Sequence, residues 1–159
     1  MQKDRAVLVV EDDPSIRTFL RDALEETGYR VRAVADGAAA LDALHQERPL
    51  ALVLDLGLPY VDGTDVARTS RALYDGDVPI IIISANGRAE EDAREIGASG
   101  FLRKPFLLDE LEAVLGRALA ARDSLSGAQR ELADRRALER DAMRERRGIL
   151  RRQSDTGGN

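Results

Sequence analysis

The sequence contains no cysteine, an absence that excludes a disulfide framework, a thiolate nucleophile and any metal site built on sulfur. It also has no apolar stretch near the roughly 18 to 20 residues of a membrane span, and no long apolar core follows its charged N-terminus. Its single histidine, His45, has no companion ligand nearby and is expected to be solvated. These absences predict a soluble cytoplasmic protein that does not associate with membranes.

Charge is unevenly distributed along the 159 residues. Residues 1–115 carry 13 basic and 22 acidic side chains, a net charge of −9, whereas residues 116–159 carry 11 and 7, a net charge of +4. Such asymmetry suggests that the two parts meet different partners, or each other. The length fits one domain with an appendage. We therefore expect a domain over residues 1–121, a charged helical extension over 122–153 and a disordered tail over 154–159.

Short apolar runs alternate five times with helical patterns over the first 120 residues. The predicted strands cover residues 6–10, 29–35, 51–55, 78–84 and 100–103, and the predicted helices cover 14–27, 38–46, 64–73, 89–96 and a segment beginning near 108. The third and fourth strands are continuously apolar, which is typical of strands buried on both faces. This alternation predicts an α/β fold with a parallel sheet covered by helices on both faces.

Polar side chains stand where four of the predicted strands end. They are Asp12 and Asp13, Asp55, Ser84 and Lys104. Because the carboxyl ends of parallel strands share one edge of a sheet, we expect these side chains to converge in one crevice. Three carboxylates in a crevice repel one another, so a compensating charge is required. A hard divalent cation such as Mg²⁺, together with the ammonium of Lys104, can keep them ionised.

The chemistry that this arrangement indicates is phosphoryl transfer onto Asp55. A carboxylate can act as a nucleophile and form an acyl phosphate, and the transfer depends on positioning and on neutralising the phosphoryl oxygens. Mg²⁺ and Lys104 would supply the neutralisation, and the Ser84 hydroxyl would donate a hydrogen bond to one oxygen.

Four motifs at these strand ends carry a resemblance to a known family. They are Glu11-Asp12-Asp13, Asp55 within Asp-Leu-Gly-Leu-Pro, Ser84-Ala85 after an isoleucine run, and Lys104-Pro105-Phe106. Over about residues 5–120 the chain resembles the receiver domain of bacterial two-component response regulators. The resemblance implies a flavodoxin-like (βα)5 fold with strand order 2-1-3-4-5, to which the C-terminal helical extension is added.

The resemblance also implies a role for each site residue. Asp55 would be the phosphoacceptor, and the carboxylates of Asp12, Asp13 and Asp55 with the backbone carbonyl of Gly57 would hold Mg²⁺. Ser84, Ala85 and Lys104 would bind the phosphoryl group. Ser84 and Phe101 would form a switch pair that reshapes the face made by the fourth helix, fifth strand and fifth helix. Gly57 and Asn86 would set the lifetime of the phosphate.

The implied function is that of a phosphoprotein in a histidine-to-aspartate phosphorelay, which receives its phosphoryl group from a sensor histidine kinase or a phosphotransfer protein. Such a receiver is not an enzyme beyond Mg²⁺-dependent self-phosphorylation and autodephosphorylation. An aspartyl-phosphate hydrolase would require a second aspartate two residues after Asp55, where Gly57 stands. We expect a stand-alone receiver whose output is protein contact.

The C-terminal extension leaves two interpretations open. Leu111, Ala118, Leu125 and Leu132 fall at seven-residue spacing, which favours a coiled coil and a homodimer, but Glu139 and Arg146 break the register. A charged solvated helix with a frayed end at residues 154–159 explains the composition equally well, and residues 124–127 interrupt its run of good helix formers. The alternative function is a DNA-binding transcriptional regulator that acts through the tail or a missing effector domain, although interleaved acids oppose nucleic-acid binding.

Overall fold

Five parallel strands form one sheet in the order β2-β1-β3-β4-β5. The structure is a computed structural model that describes residues 4–154, without the side chains of residues 130 and 141–154. The elements in chain order are β1 (Ala6–Val10), α1 (Pro14–Glu26), β2 (Arg30–Val34), α2 (Gly37–Gln46), β3 (Ala51–Asp55), α3 (Gly63–Tyr74), β4 (Ile80–Ser84), α4 (Ala89–Ile96), β5 (Gly100–Arg103) and α5 (Leu108–Ser154). The predicted flavodoxin-like fold and strand order are confirmed.

Burial along the strands explains why the sheet has this order. Every residue of β1, β3 and β4 is buried, as expected for the apolar runs predicted to lie in the centre. Strand β2, which alternates arginine with smaller apolar residues, lies at the edge with its residues only partly covered. The registers Val9↔Val53 and Val53↔Ile81 align the ends of the central strands.

Two apolar cores lie on opposite faces of the sheet because successive strand residues point to opposite sides. Val9, Val53 and Ile81 belong to one core, which packs against leucines of α1 and α5. Val10, Leu54 and Ile82 belong to the other, which packs against α2, α3 and α4. The three central strands are therefore apolar along their length, apart from Asp55 and Ser84 at the ends of β3 and β4.

Aspartate side chains begin the first three helices. Asp13, Asp36 and Asp62 occupy the N-cap positions of α1, α2 and α3, and each accepts a hydrogen bond from a main-chain N–H group of the first turn. Helix α4 has no such side-chain cap and begins at the turn that follows β4. Aspartate side chains therefore cap the helix at three of the five connections that lead from a strand to the next helix.

Helix α5 runs without a break from Leu108 to Ser154, so the predicted interruption at residues 124–127 is wrong. Serine and glycine cost at most about 1 kcal/mol each in a helix, which strong helix formers on both sides can offset. The chain divides into two compact units between Arg122 and Asp123. Of the predicted disordered tail at residues 154–159, Ser154 is the last residue of α5, and residues 155–159 lie outside the described residues.

Each unit uses its part of α5 differently. In the first unit, Leu111 and Leu115 are fully buried in the core, and Arg122 Nη1 donates a hydrogen bond to the Leu50 carbonyl over 3.1 Å. In the second unit, Leu125 and Leu132 are 66% and 52% exposed. Of the leucines at seven-residue spacing, Leu111 therefore packs in a core, whereas Leu125 and Leu132 are exposed.

No helix in residues 4–154 combines the length and the apolar composition needed to cross a bilayer.

Candidate functional site

The last residue of β3, Asp55, is the centre of the crevice at the carboxyl edge of the sheet. Its residue surface is only 5% exposed, although it carries a carboxylate. The Gly57 N–H donates to Asp55 Oδ1 over 2.9 Å, and Lys104 Nζ lies 2.9 Å from Asp55 Oδ2. Both carboxylate oxygens are therefore held by donors, which fixes the orientation of the group at the mouth of the crevice.

Lys104 brings a positive charge from the segment after β5 into the same crevice. Its Nζ lies 2.7 Å from Glu11 Oε2 as well as 2.9 Å from Asp55 Oδ2, and its side chain is 16% exposed. Its main-chain N–H also donates to the Ser84 carbonyl over 3.0 Å. One residue thus links the ends of β1, β3 and β4, as the predicted convergence of Asp55, Ser84 and Lys104 requires.

The acid that the structure adds to this cluster is Glu11, which has no exposed surface. Oxygens of Glu11, Asp12 and Asp55 all lie within 4.8 Å of one another. The predicted member Asp13 is not brought into the cluster, because its Oδ1 accepts hydrogen bonds from the Ser15 and Ile16 N–H groups as the N-cap of α1. Pro14, at the first position of α1, was the signal that makes residue 13 the cap.

The electrostatics of the cluster reflect opposing effects of burial and pairing. Burial is the largest cause that raises the pKa of Glu11, from an ordinary 4.5 to about 6, and the nearby charge of Asp55 raises it further. The hydrogen bonds from Lys104 and from the Asp13 N–H oppose this rise. For Lys104, burial favours the neutral amine, but hydrogen bonds to Glu11 and Asp55 outweigh it and raise its pKa. The ammonium therefore remains charged within a cluster of acids.

Ser84 and Phe101 occupy neighbouring strands next to this cluster. Ser84 is 2% exposed at the end of β4, and its Oγ accepts a hydrogen bond from the Asn86 N–H over 3.1 Å. Phe101 is partly buried on β5, opposite Ile82, and packs against the core that includes α4. The serine hydroxyl and the aromatic ring are thus placed on the two strands nearest α4, while Ala85 and Asn86 are exposed in the turn that follows Ser84.

The loop from β3 to α3 is held close to Asp55. A Cβ on Gly63 would lie 2.9 Å from the Asp55 carbonyl oxygen, so the start of α3 packs directly against Asp55. Gly57 lies at the other end of the loop and is exposed. Tyr60 lies between them with a φ of 67° and a completely exposed side chain. The loop therefore approaches Asp55 closely at Gly63, whereas Gly57 and Tyr60 face the solvent.

The donor set of the crevice fits a small hard cation. Three carboxylates that offer oxygens within 4.8 Å of one another match the preference of Mg²⁺ for oxygen ligands, and Asp12 is exposed enough to leave room for water. The ammonium of Lys104 compensates only part of the negative charge of the cluster. The arrangement of these carboxylates therefore fits a divalent cation beside Asp55.

Comparison with known proteins gives a family for this arrangement. The sequence model of the response regulator receiver domain family matches residues 7–116 of this chain. Response regulator MprA of Mycobacterium bovis (strain BCG / Pasteur 1173P2) is 40% identical over 131 residues, which cover 81% of this chain and 56% of that protein. Response regulator MprA of Mycobacterium avium (strain 104) is 42% identical over 118 residues, 73% and 51% of the two chains. The chain thus spans about half the length of these curated relatives.

Solved structures show the same similarity. The receiver domain of sensor histidine kinase PA1611 from Pseudomonas aeruginosa PAO1, described with a magnesium ion coordinated in its active site cleft, is 37% identical with a TM-score of 0.67. The match covers 73% of this chain and 98% of that one. NtrX from Brucella abortus, in complex with ATP, is 29% identical with a TM-score of 0.71 and matches over 82% of this chain and 29% of its own.

Proposed function

Because this chain belongs to the response regulator receiver domain family, we propose that it is a phosphoacceptor protein whose nucleophile is Asp55. Receiver domains take phosphoryl groups from histidine kinases and are signalling domains of two-component systems rather than classical enzymes. The observation that carries the proposal is the contact of Lys104 Nζ with Asp55 Oδ2 inside a cluster of carboxylates. A histidine kinase or a phosphotransfer protein in the cytoplasm supplies the phosphoryl group.

The reaction exchanges one bond to phosphorus for another. A carboxylate oxygen of Asp55 attacks phosphorus, the bond between phosphorus and the donor imidazole nitrogen breaks, and its electron pair stays on that nitrogen, which takes up a proton. Such transfers need alignment and charge neutralisation more than covalent assistance. The ammonium of Lys104, which contacts Asp55, would supply positive charge to the phosphoryl oxygens, and the Ser84 hydroxyl and the Ala85 N–H would donate hydrogen bonds to them.

Mg²⁺ is the cofactor that suits this site. Glu11, Asp12 and Asp55 would hold it with the carbonyl of Gly57, and a bound Mg²⁺ would neutralise charge that develops on the phosphoryl oxygens. Asp13 does not join this set, because its carboxylate is engaged by the first turn of α1. The protein residues therefore divide into carboxylates for the cation and donors for the phosphoryl group.

Phosphorylation is read out through Ser84 and Phe101. The Ser84 Oγ accepts a hydrogen bond from the Asn86 N–H, which leaves its O–H free to donate to a phosphoryl oxygen, and this new bond draws Ser84 toward Asp55. Space is then left near β5 for the Phe101 ring to turn inward, which reshapes the surface formed by α4, β5 and the beginning of α5. Gly57 and Asn86, which lie on the two loops beside Asp55, govern access of water and so the lifetime of the phosphate.

The output is contact with another protein chain. The exposed Leu125 and Leu132 of the second unit favour self-association through α5, alone or with the α4-β5-α5 surface. Binding of duplex DNA is the competing output, and a steep decrease of affinity with salt concentration would reveal it. The interleaved acids of the tail favour protein contact over DNA.

Intact mass spectrometry after incubation with acetyl phosphate and Mg²⁺ tests the proposal. We expect the wild-type chain to gain one phosphoryl group and the Asp55→Asn variant to gain none. Asp65→Asn, which changes an exposed carboxylate on α3, is the matched control and should be labelled like the wild type. Equal labelling of the Asp55→Asn variant, or no dependence of wild-type labelling on Mg²⁺, would contradict the proposed function.

A further inference from the structure

Arg17, on the first turn of α1, contacts the main chain of all three acids that follow β1. Its Nη1 donates to the Glu11 carbonyl over 3.0 Å and to the Asp12 carbonyl over 3.2 Å. Its main-chain N–H donates to the Asp13 carbonyl over 2.9 Å. The guanidinium therefore holds two consecutive carbonyl groups of the loop that carries the acidic cluster, and the third contact is the helical hydrogen bond that any residue at this position makes.

The acidic loop has a conformational problem that these contacts address. Three adjacent carboxylates repel one another, yet the Glu11 and Asp12 side chains must point into one crevice while the Asp13 side chain turns back to cap α1. Both side-chain contacts of Arg17 are with carbonyl oxygens, so its guanidinium does not occupy a carboxylate oxygen that a cation needs. Arg17 can therefore hold the loop without competing for its ligands.

We propose that Arg17 is a positioning residue of the metal site, which holds the Glu11–Asp13 main chain so that the Glu11 and Asp12 carboxylates converge on a divalent cation. The inference rests on the proposed function, because it assigns a role toward the cation of that site. The residues required for Mg²⁺ binding would then include, besides the carboxylates, the positively charged side chain of Arg17 on α1.

The charge of Arg17 and its hydrogen bonds have opposite effects on Mg²⁺ affinity. A positive charge near the site repels Mg²⁺, so if charge alone mattered, removing the guanidinium would tighten binding. If positioning dominates, removing it loosens the loop and weakens binding. Loss of a group that orients metal ligands typically costs at least about tenfold in metal affinity. The sign of the change therefore separates the two effects.

The experiment titrates Mg²⁺ alone into the full chain by isothermal titration calorimetry for four proteins: the wild type, R17Q, R17K and R21Q. Arg21 lies one turn further along α1 and pairs with the exposed Asp22, so R21Q removes the same charge from the same helix without touching the loop. We expect the dissociation constant of R17Q to increase about tenfold and that of R21Q to stay unchanged or decrease slightly. R17K should recover part of the loss, because a single nitrogen of Arg17 makes both carbonyl contacts.

Labelling by acetyl phosphate at saturating Mg²⁺ gives a second readout. We expect R17Q to reach wild-type labelling there and to fall behind only at low Mg²⁺, which general damage to the fold would not produce. Equal dissociation constants of R17Q and R21Q, or tighter binding by R17Q, would overturn the role of Arg17. Failure of the wild type to bind Mg²⁺ or to be labelled would instead overturn the proposed function itself.

Discussion

The buried charge of Glu11 makes a quantitative prediction about stability without metal. Glu11 has no exposed surface and carries a pKa raised to about 6 from 4.5, chiefly by burial. Replacing it by glutamine removes the charge and keeps the size and an acceptor for the Asp13 N–H. We therefore expect E11Q to raise the free energy of unfolding of the Mg²⁺-free protein near neutral pH, even though it removes an ion pair with Lys104.

The magnitude follows from proton linkage. A carboxyl group whose pKa is higher in the folded state than in the unfolded state binds protons preferentially when folded, so it lowers stability as pH rises between the two values. The rise of the Glu11 pKa from 4.5 to about 6 lowers the free energy of unfolding by about 2 kcal/mol, because each pKa unit corresponds to about 1.4 kcal/mol. The penalty is absent below 4.5, develops between 4.5 and about 6, and is constant above.

Urea unfolding with a chelator present measures this effect as a difference between two proteins. The free energy of unfolding of E11Q minus that of the wild type should rise by about 2 kcal/mol between about pH 4.5 and pH 7.5. The contributions of groups that titrate in both proteins cancel in this difference. E25Q, at an exposed position of α1, is the control and should show no such rise. A difference that stays flat or falls with pH would refute the reasoning, because the bond to Lys104 would then outweigh the cost of burial.

Three further predictions address the packing around Asp55, the cap of α1 and the second unit. G63A should destabilise the fold by about 1 to 3 kcal/mol in thermal unfolding, because its Cβ would lie 2.9 Å from the Asp55 carbonyl oxygen, whereas G116A, with open space around it, should stabilise by about 1 kcal/mol. D13A should lose about 1 kcal/mol of stability but keep its Mg²⁺ affinity within about twofold. A decrease of affinity by about tenfold or more would instead identify Asp13 as a metal ligand. Replacing Leu125 and Leu132 together by glutamate should convert an associated chain to a monomer in light scattering without changing phosphate uptake, and an unchanged mass would remove α5 from the interface.

Much of the fold could be read from the sequence because each element depends on a local pattern. The continuous aliphatic run before Ser84 can be hidden only in a central strand, and β4 is buried along its whole length. The bounds of α4 and β5 coincide with those predicted, since Gly97 ends one and Gly100 begins the other. The convergence of Asp55, Ser84 and Lys104 follows from parallel topology alone.

The choice among the three consecutive acids could not be made from residue type. Which carboxylate enters the crevice depends on the main-chain path after β1, where the Glu11 N–H still pairs with the Val34 carbonyl over 3.2 Å, as if the strand continued. Pro14 fixes the start of α1 and therefore commits Asp13 to the cap. Combining these two local rules would have assigned Glu11 to the crevice and Asp13 to the helix.

The segment between Lys104 and Arg122 touches both ends of β3, and this arrangement has a consequence for local opening. Lys104 reaches Asp55 at one end of the strand, and Arg122 holds the Leu50 carbonyl just before the other. Partial unwinding of the first turns of α5 would expose Leu111 and Leu115 and draw Lys104 away from the acids at the same time. We therefore expect amide protection in α5 and the contact between Lys104 and Asp55 to be lost together, so that slow hydrogen exchange in α5 would report on the charge balance of the crevice.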